Sequence, residues 1–283
     1  MLSPRRRQWG IEQWVACLKE RDIPVLQRSK DFVRGLAETG QGETVAAREL
    51  VAIIFADPYL ALRLLRQAEA KRSRTLGRET TTPLATILQI GFDGLCSSLE
   101  ASASCDDGNP GLAECCSRAF LSAHIARAWA MYRVDVSPDE VTLAALLSEV
   151  GELMLWAFTP DVPQAALDEL RSGRALRTVQ AQQQTAGFSF KLLTLAFAEA
   201  WQLPPLIIQL IKGSDNVRAN IARLATDTAR HIETNPENPA IPSDLVSIRE
   251  HLPQVSFRDL IAPLPIPEAY RDAVLLAVDK EAQ

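Results

Sequence analysis

Apolar residues recur every three to four positions along most of the chain, and alternating runs of β-branched residues are scarce. That periodicity predicts helices throughout and an all-α fold. After Pro58, Leu60, Leu64, Leu65 and Ala68 form one apolar stripe and leave Arg63 and Arg66 on the wetter side. The same spacing predicts helices near 11–21, 29–38, 44–55, 83–90 and 94–101. Beyond residue 111 it predicts helices at about 112–132, 139–158, 162–172, 175–184, 189–201, 205–212 and 217–233, with room for three short helices after 234. Helix starts are legible as Asp57-Pro58, Thr82-Pro83 and Ser137-Pro138, each a capping side chain before a proline at the first helical position. Ser137 to Glu140 also reads as a capping box. Two clusters of turn formers divide the chain, Ser102 to Gly111 and Asn235-Pro236-Glu237-Asn238-Pro239. No internal repeat is present.

Composition narrows the function classes. The 283 residues are 47% hydrophobic and 23% charged, an ordinary globular balance. A net charge of −5 makes a general nucleic-acid coat unlikely. The most apolar window, 141–158, still carries Ser148, Glu149 and Glu152, which argues against a membrane span. Arg5, Arg6 and Arg7 imitate the start of an export signal, but Glu12, Lys19 and Glu20 interrupt the apolar stretch such a signal needs. A cytoplasmic protein is expected. The five cysteines, Cys17, Cys96, Cys105, Cys115 and Cys116, show neither a CxxC pair nor zinc-type spacing and are expected to be thiols. No nucleophile elbow, papain-like pattern or glycine-rich phosphate loop occurs, so neither covalent catalysis nor a nucleotide loop is indicated.

Several segments carry a family resemblance. Ile23-Pro24-Val25-Leu26, Ile53 to Arg66 with its Ala56-Asp57-Pro58 core, Ile90-Gly91-Phe92-Asp93-Gly94-Leu95, Leu143 to Leu153 and Trp201-Gln202-Leu203-Pro204 follow one another in the order seen in HDOD domains. These are bacterial all-helical modules related to the HD phosphohydrolases. The resemblance implies an HDOD region over 14–232, made of an N-terminal helical layer (14–101) packed on an HD-like half (112–232), with a C-terminal helical extension over 233–283.

The resemblance also locates where an HD enzyme would hold a divalent ion between two His and two Asp. By that correspondence Ala119 stands for the first His, Ser148 and Glu149 replace the His-Asp dipeptide, and Thr226 sits near the last Asp, with Asp227 one position away. No metal, no cofactor and no catalytic residue are therefore expected. Glu149 is expected to be a helix carboxylate met by an arginine or solvent, and Ala119, Phe120, Leu147 and Val150 are expected to pack apolarly. None of the histidines restores the site. His124 lies five positions past Ala119, about 140° around the helix, and His231 and His251 fall near helix ends.

One charge feature stands against the acidic whole. Arg63, Arg66, Lys71, Arg72, Arg74 and Arg78 fall within a short stretch, where Ala68-Glu69-Ala70 departs from the Asn-Ser-Ala-like turn usual in HDOD domains. Clustered arginines can pair bidentately with carboxylate or phosphate, so this segment is a candidate anion or acidic-partner surface, the alternative being a solvated basic face. Aromatic residues do not interleave with the charges, which weakens a nucleic-acid reading. The expected function is a non-catalytic regulatory module in signal transduction that contacts other signalling proteins and no membrane. Its alternatives are a degenerate HD-type phosphodiesterase and a sensor that binds a nucleotide ligand without turnover.

Overall fold

The computed structural model describes residues 9–39, 47–75, 79–105, 108–213 and 215–281, with side chains described except at 73–75 and 279–281. The described residues form helices joined by short turns: α1 (Ile11–Leu18), α2 (Gln27–Glu38), α3 (Ala47–Ala56), α4 (Pro58–Thr75), α5 (Pro83–Glu100), α6 (Pro110–Ala130), α7 (Pro138–Leu147), α8 (Val150–Phe158), α9 (Asp161–Arg171), α10 (Thr178–Ala186), α11 (Phe190–Ala200), α12 (Pro205–Lys212), α13 (Val217–Thr234), α14 (Ile241–His251), α15 (Phe257–Ile261) and α16 (Glu268–Glu281). Extended pairing among them is a single parallel bridge, Val25 to Ser104. The all-α expectation holds, and among the described residues three helices follow residue 234, for which the sequence left room. No single helix among the described residues is long and apolar enough to cross a membrane.

The chain packs as two compact units, one of residues 1–116 and 147–208, the other of 117–146 and 209–283. In the first, α2, α3 and α4 pack on α5, α8 packs on α9 and α11, and the early helices join the later ones through α1 on α11 and α4 on α8. Tyr59 shows how tight that join is: buried, it donates its hydroxyl to the carbonyl of Leu153 on α8 at 2.6 Å. Burial raises its pKa well above the ordinary tyrosine value, so the group remains a donor. In the second unit α14 packs on α13, α15 and α16. The buried Trp129 of α6 donates its indole N–H to the carbonyl of Leu260 at 2.9 Å. His231 on α13 pairs with Asp244 on α14 at 2.7 Å, and that hydrogen bond, ahead of opposing desolvation, raises the imidazole pKa.

Local chemistry explains the boundaries. Thr82 caps α5 by accepting from the Ala85 amide at 3.2 Å, with Pro83 in the first turn. Gly91, at φ 80, breaks α5 between the two helices expected there. Asp57 does more than cap α4. Its Oδ1 accepts from the amides of Tyr59 and Leu60 at 3.0 Å, while Oδ2 accepts from the Leu26 amide at 2.9 Å and the Ser29 hydroxyl at 2.8 Å. One fully buried carboxylate thus joins α4 to the entry of α2. Glu140, expected in a capping box, reaches Arg218 at 3.3 Å.

The single helix expected over 139–158 is two helices, broken at Ser148-Glu149. A competing tertiary bond accounts for the break. The amide of Gly151 donates to the Thr194 hydroxyl of α11 at 2.9 Å, and Glu149, at φ −110 and ψ 17, leaves the helical region. Helix α10 begins at Thr178, later than expected, because Gly173 at φ 73 and the residues after it turn the chain. The buried Gln182 then accepts from the Phe190 amide at 2.9 Å and so fixes the start of α11.

Candidate functional site

None of the positions that correspond to the metal ligands holds an imidazole. Ala119, on α6, is fully buried. Thr226, on α13, is buried and donates its hydroxyl to the Ala222 carbonyl at 2.9 Å, an internal helix bond. Asp227 lies beside Arg223 at 3.4 Å and Arg230 at 3.3 Å, a surface ion-pair arrangement. Ser148 and Glu149 form the break between α7 and α8, with Glu149 buried. Ala119, Ser148, Glu149 and Thr226 supply one carboxylate among them, which does not fit the ion of a catalytic HD site. The apolar expectation holds for Ala119, Leu147 and Val150, all buried. It fails for Phe120, which is 45% exposed and stacks on His124 at 6.5 Å, because four positions along α6 bring the two rings together on its outer face.

Glu149 has a neighbourhood that spacing alone did not reveal. Donor atoms of Cys115, Glu149 and Glu152 all lie within 4.8 Å of one another. Glu152 follows Glu149 on the first turn of α8 and accepts from the Trp156 indole N–H at 3.2 Å. Trp156 in turn covers Gly111, where an added Cβ would come within 2.2 Å of its ring, and this close approach sets the first turn of α6 and hence Cys115. The trio is a thiol and two carboxylates, chemically unlike a two-imidazole, two-carboxylate site.

The arginine segment is better organised. A cavity of about 760 Å³ opens between the end of α1, the middle of α4 and the turn after α11. Arg63, Arg66 and Arg72 line it. Arg63, whose side chain is largely buried, pairs with Asp22, donates to the Ile23 carbonyl at 2.9 Å and donates from Nε to the Ser98 hydroxyl at 3.0 Å. Arg72 donates from Nε to Glu69 at 2.6 Å. Glu69 is buried and also accepts from the Thr80 amide at 2.9 Å, so the Ala68-Glu69-Ala70 departure ties the end of α4 to the chain beyond 78. Lys71 is exposed. Arg78 and the side chain of Arg74 lie outside the described residues.

Arg66 differs from its neighbours. Its guanidinium lies over the Trp201 ring, 4.8 Å from the centroid, and its hydrogen bond is a long one of 3.5 Å to the Lys19 carbonyl. Burial pushes its pKa below the ordinary arginine value, more strongly than Glu20 raises it. Trp201 is anchored by its own N–H, which donates to the same Lys19 carbonyl at 2.9 Å, and by stacking on Phe197 at 4.7 Å. That carbonyl is available because α1 stops at Leu18 and leaves its last acceptors outside the helix. The turn presenting Trp201 closes through Leu203 N–H to the Ala198 carbonyl at 3.0 Å, with Gln202 left-handed at φ 52. A left-handed residue and a six-to-one bond are the Schellman arrangement, usually built on glycine. Pro204 follows it in Trp201-Gln202-Leu203-Pro204.

A protein-family model for the HDOD domain matches residues 26–217. Among solved structures, the chain is similar to the MmoQ response regulator of Methylococcus capsulatus str. Bath, with a TM-score of 0.64 and 21% identity, covering 86% of this chain and 98% of that one. It is also similar to a virulence factor of Campylobacter jejuni subsp. jejuni, with a TM-score of 0.71 and 15% identity, covering 93% of this chain and 98% of that one. At these identities the likeness is one of fold. Among curated proteins none matches the chain.

Proposed function

The chain belongs to the HDOD family, and on that premise we propose that it is a non-catalytic regulatory module of signal transduction, acting through contacts with other proteins. The observation that carries this reading is the pair Ala119 and Thr226. One is a methyl group, and the other spends its hydroxyl on the Ala222 carbonyl of its own helix. Neither is a ligand around which an HD-type ion could activate water, since such an ion needs several imidazole and carboxylate donors held together. The same fold carries a protein described as a response regulator, which agrees in kind with a signalling role. Without chemistry of its own, such a module works by presenting a surface.

A second reading rests on the Cys115, Glu149 and Glu152 cluster, which would make the chain an unusual metal-dependent phosphodiesterase. A hydrolysis assay separates the two. Incubation with bis(p-nitrophenyl) phosphate and with a cyclic dinucleotide, in the presence of added Mg²⁺, Mn²⁺ or Fe²⁺, is expected to give no turnover above the metal salt alone. Turnover that disappears in Glu149→Gln would replace the regulatory reading by the enzymatic one.

A further inference from the structure

The cavity beside α4 has a charge asymmetry that its internal pairs do not remove. Among the described residues, Arg63 and Arg72 each meet a carboxylate, Asp22 and Glu69 respectively, whereas Arg66 has no carboxylate within ion-pair distance. Arg21, exposed at the rim of the same cavity, likewise has none. The guanidinium of Arg66 lies over the indole face, and its single long bond leaves most of its planar fork of donors unused. A guanidinium partly withdrawn from water gains more from an incoming anion than an exposed one does, because the local dielectric is lower. At about 760 Å³ the cavity has room for more than one isolated ion, and of its acidic members Asp22 and Glu69 are held by arginines while Glu20 lies beside Lys19 at 3.8 Å.

We propose that the groove formed by Arg66 on Trp201, with Arg21 at its rim, docks an acidic segment of a partner protein, one aspartate or glutamate side chain forking onto Arg66. Charge complementarity commits the occupant: four arginines, Arg21, Arg63, Arg66 and Arg72, line the cavity against three carboxylates, Glu20, Asp22 and Glu69, a local excess of positive charge on a chain whose overall charge is −5, so an acidic strand is drawn here. The choice of a protein segment rests on the regulatory reading. The anion-accepting geometry does not.

The test titrates the 283-residue chain with acetylated, amidated hexaglutamate by calorimetry, and follows the Trp201 indole N–H by NMR, assigned by its loss in Trp201→Phe. Binding that weakens with added salt and shifts the Trp201 signal is expected. Arg66→Lys keeps the charge but loses the fork and should weaken binding about tenfold. Arg66→Ala should weaken it at least as much, whereas Arg34→Ala, at a different surface, should leave it unchanged. The proposal is overturned if wild type does not bind, if the Arg66 variants bind as wild type does, or if inorganic phosphate displaces the peptide at equal concentration, which would make the groove a small-anion site. Failure here with no phosphodiesterase turnover leaves the regulatory reading standing. Turnover with binding intact would leave the groove and remove that reading.

Discussion

Asp57→Ala is expected to lower stability by about 3–5 kcal/mol, the sum of a lost helix cap and of buried amides left without a partner. Three backbone N–H groups, of Leu26, Tyr59 and Leu60, and the Ser29 hydroxyl all donate to this one carboxylate. Truncation removes the acceptors and keeps the donors buried, the costly half of breaking a hydrogen bond. Burial raises the pKa of Asp57, and the hydrogen bonds from Leu60, Leu26, Ser29 and Tyr59 oppose that rise. Asp57→Asn separates the two roles. Its remaining oxygen can still cap α4 as Oδ1 does, but its amide group would face the Leu26 donor, so an intermediate loss is expected. Urea unfolding measures both variants. A cost below about 1 kcal/mol for Asp57→Ala would mean that water or a neighbour replaces the carboxylate, contrary to the buried four-donor arrangement.

Gly151→Ala is the second large effect. Alanine is ordinarily the better helix former by about 1 kcal/mol, so propensity alone argues for stabilisation. Packing argues the other way: a Cβ at 151 would come within 2.6 Å of the Phe190 carbonyl oxygen and 2.7 Å of the Thr194 amide nitrogen. Both are backbone atoms of α11 and cannot rotate aside. Separating α8 from α11 also stretches the Gly151 to Thr194 hydrogen bond of 2.9 Å. A net loss of about 1–3 kcal/mol is expected. Gly35→Ala, on α2 with nothing within 4 Å of the added carbon, is the matched case and should stabilise by about 0.5–1 kcal/mol. Thermal or urea unfolding of the pair decides it, and a stabilised Gly151→Ala would contradict the close approach of the two helices.

Those two residues also mark where the sequence was readable and where it was not. Asp57-Pro58 and Thr82-Pro83 announce helix starts because capping is local chemistry, settled within three or four residues. The separate helices expected over 83–90 and 94–101 likewise match the break at Gly91 in α5. The break at Ser148-Glu149 was hidden because its cause, Thr194, lies 43 positions from Gly151. An apolar window looks the same whether or not a distant hydroxyl takes one of its amides.

The candidate site divides in the same way. The arginines of α4 are conspicuous in one stretch of sequence, but which of them remains available depends on Asp22, 41 positions from Arg63, and on Trp201, far beyond Arg66. Glu69 was visible as a departure from the usual turn, and its bond to the Thr80 amide shows what the departure does. The close spacing of Glu149 and Glu152 in the sequence was there to be read, whereas the approach of Cys115 from α6 required the fold.

The central claim, that this HDOD chain acts through its surface rather than through a metal-activated water, is tested most directly by its metal content. Protein purified without chelator, from cells grown with added Mn, Fe and Zn salts, should contain no stoichiometric divalent ion by elemental analysis, and Glu149→Ala and Cys115→Ala should match wild type in this respect. A stoichiometric ion in wild type that is lost from either variant would contradict the account and make the Cys115, Glu149 and Glu152 cluster a metal site.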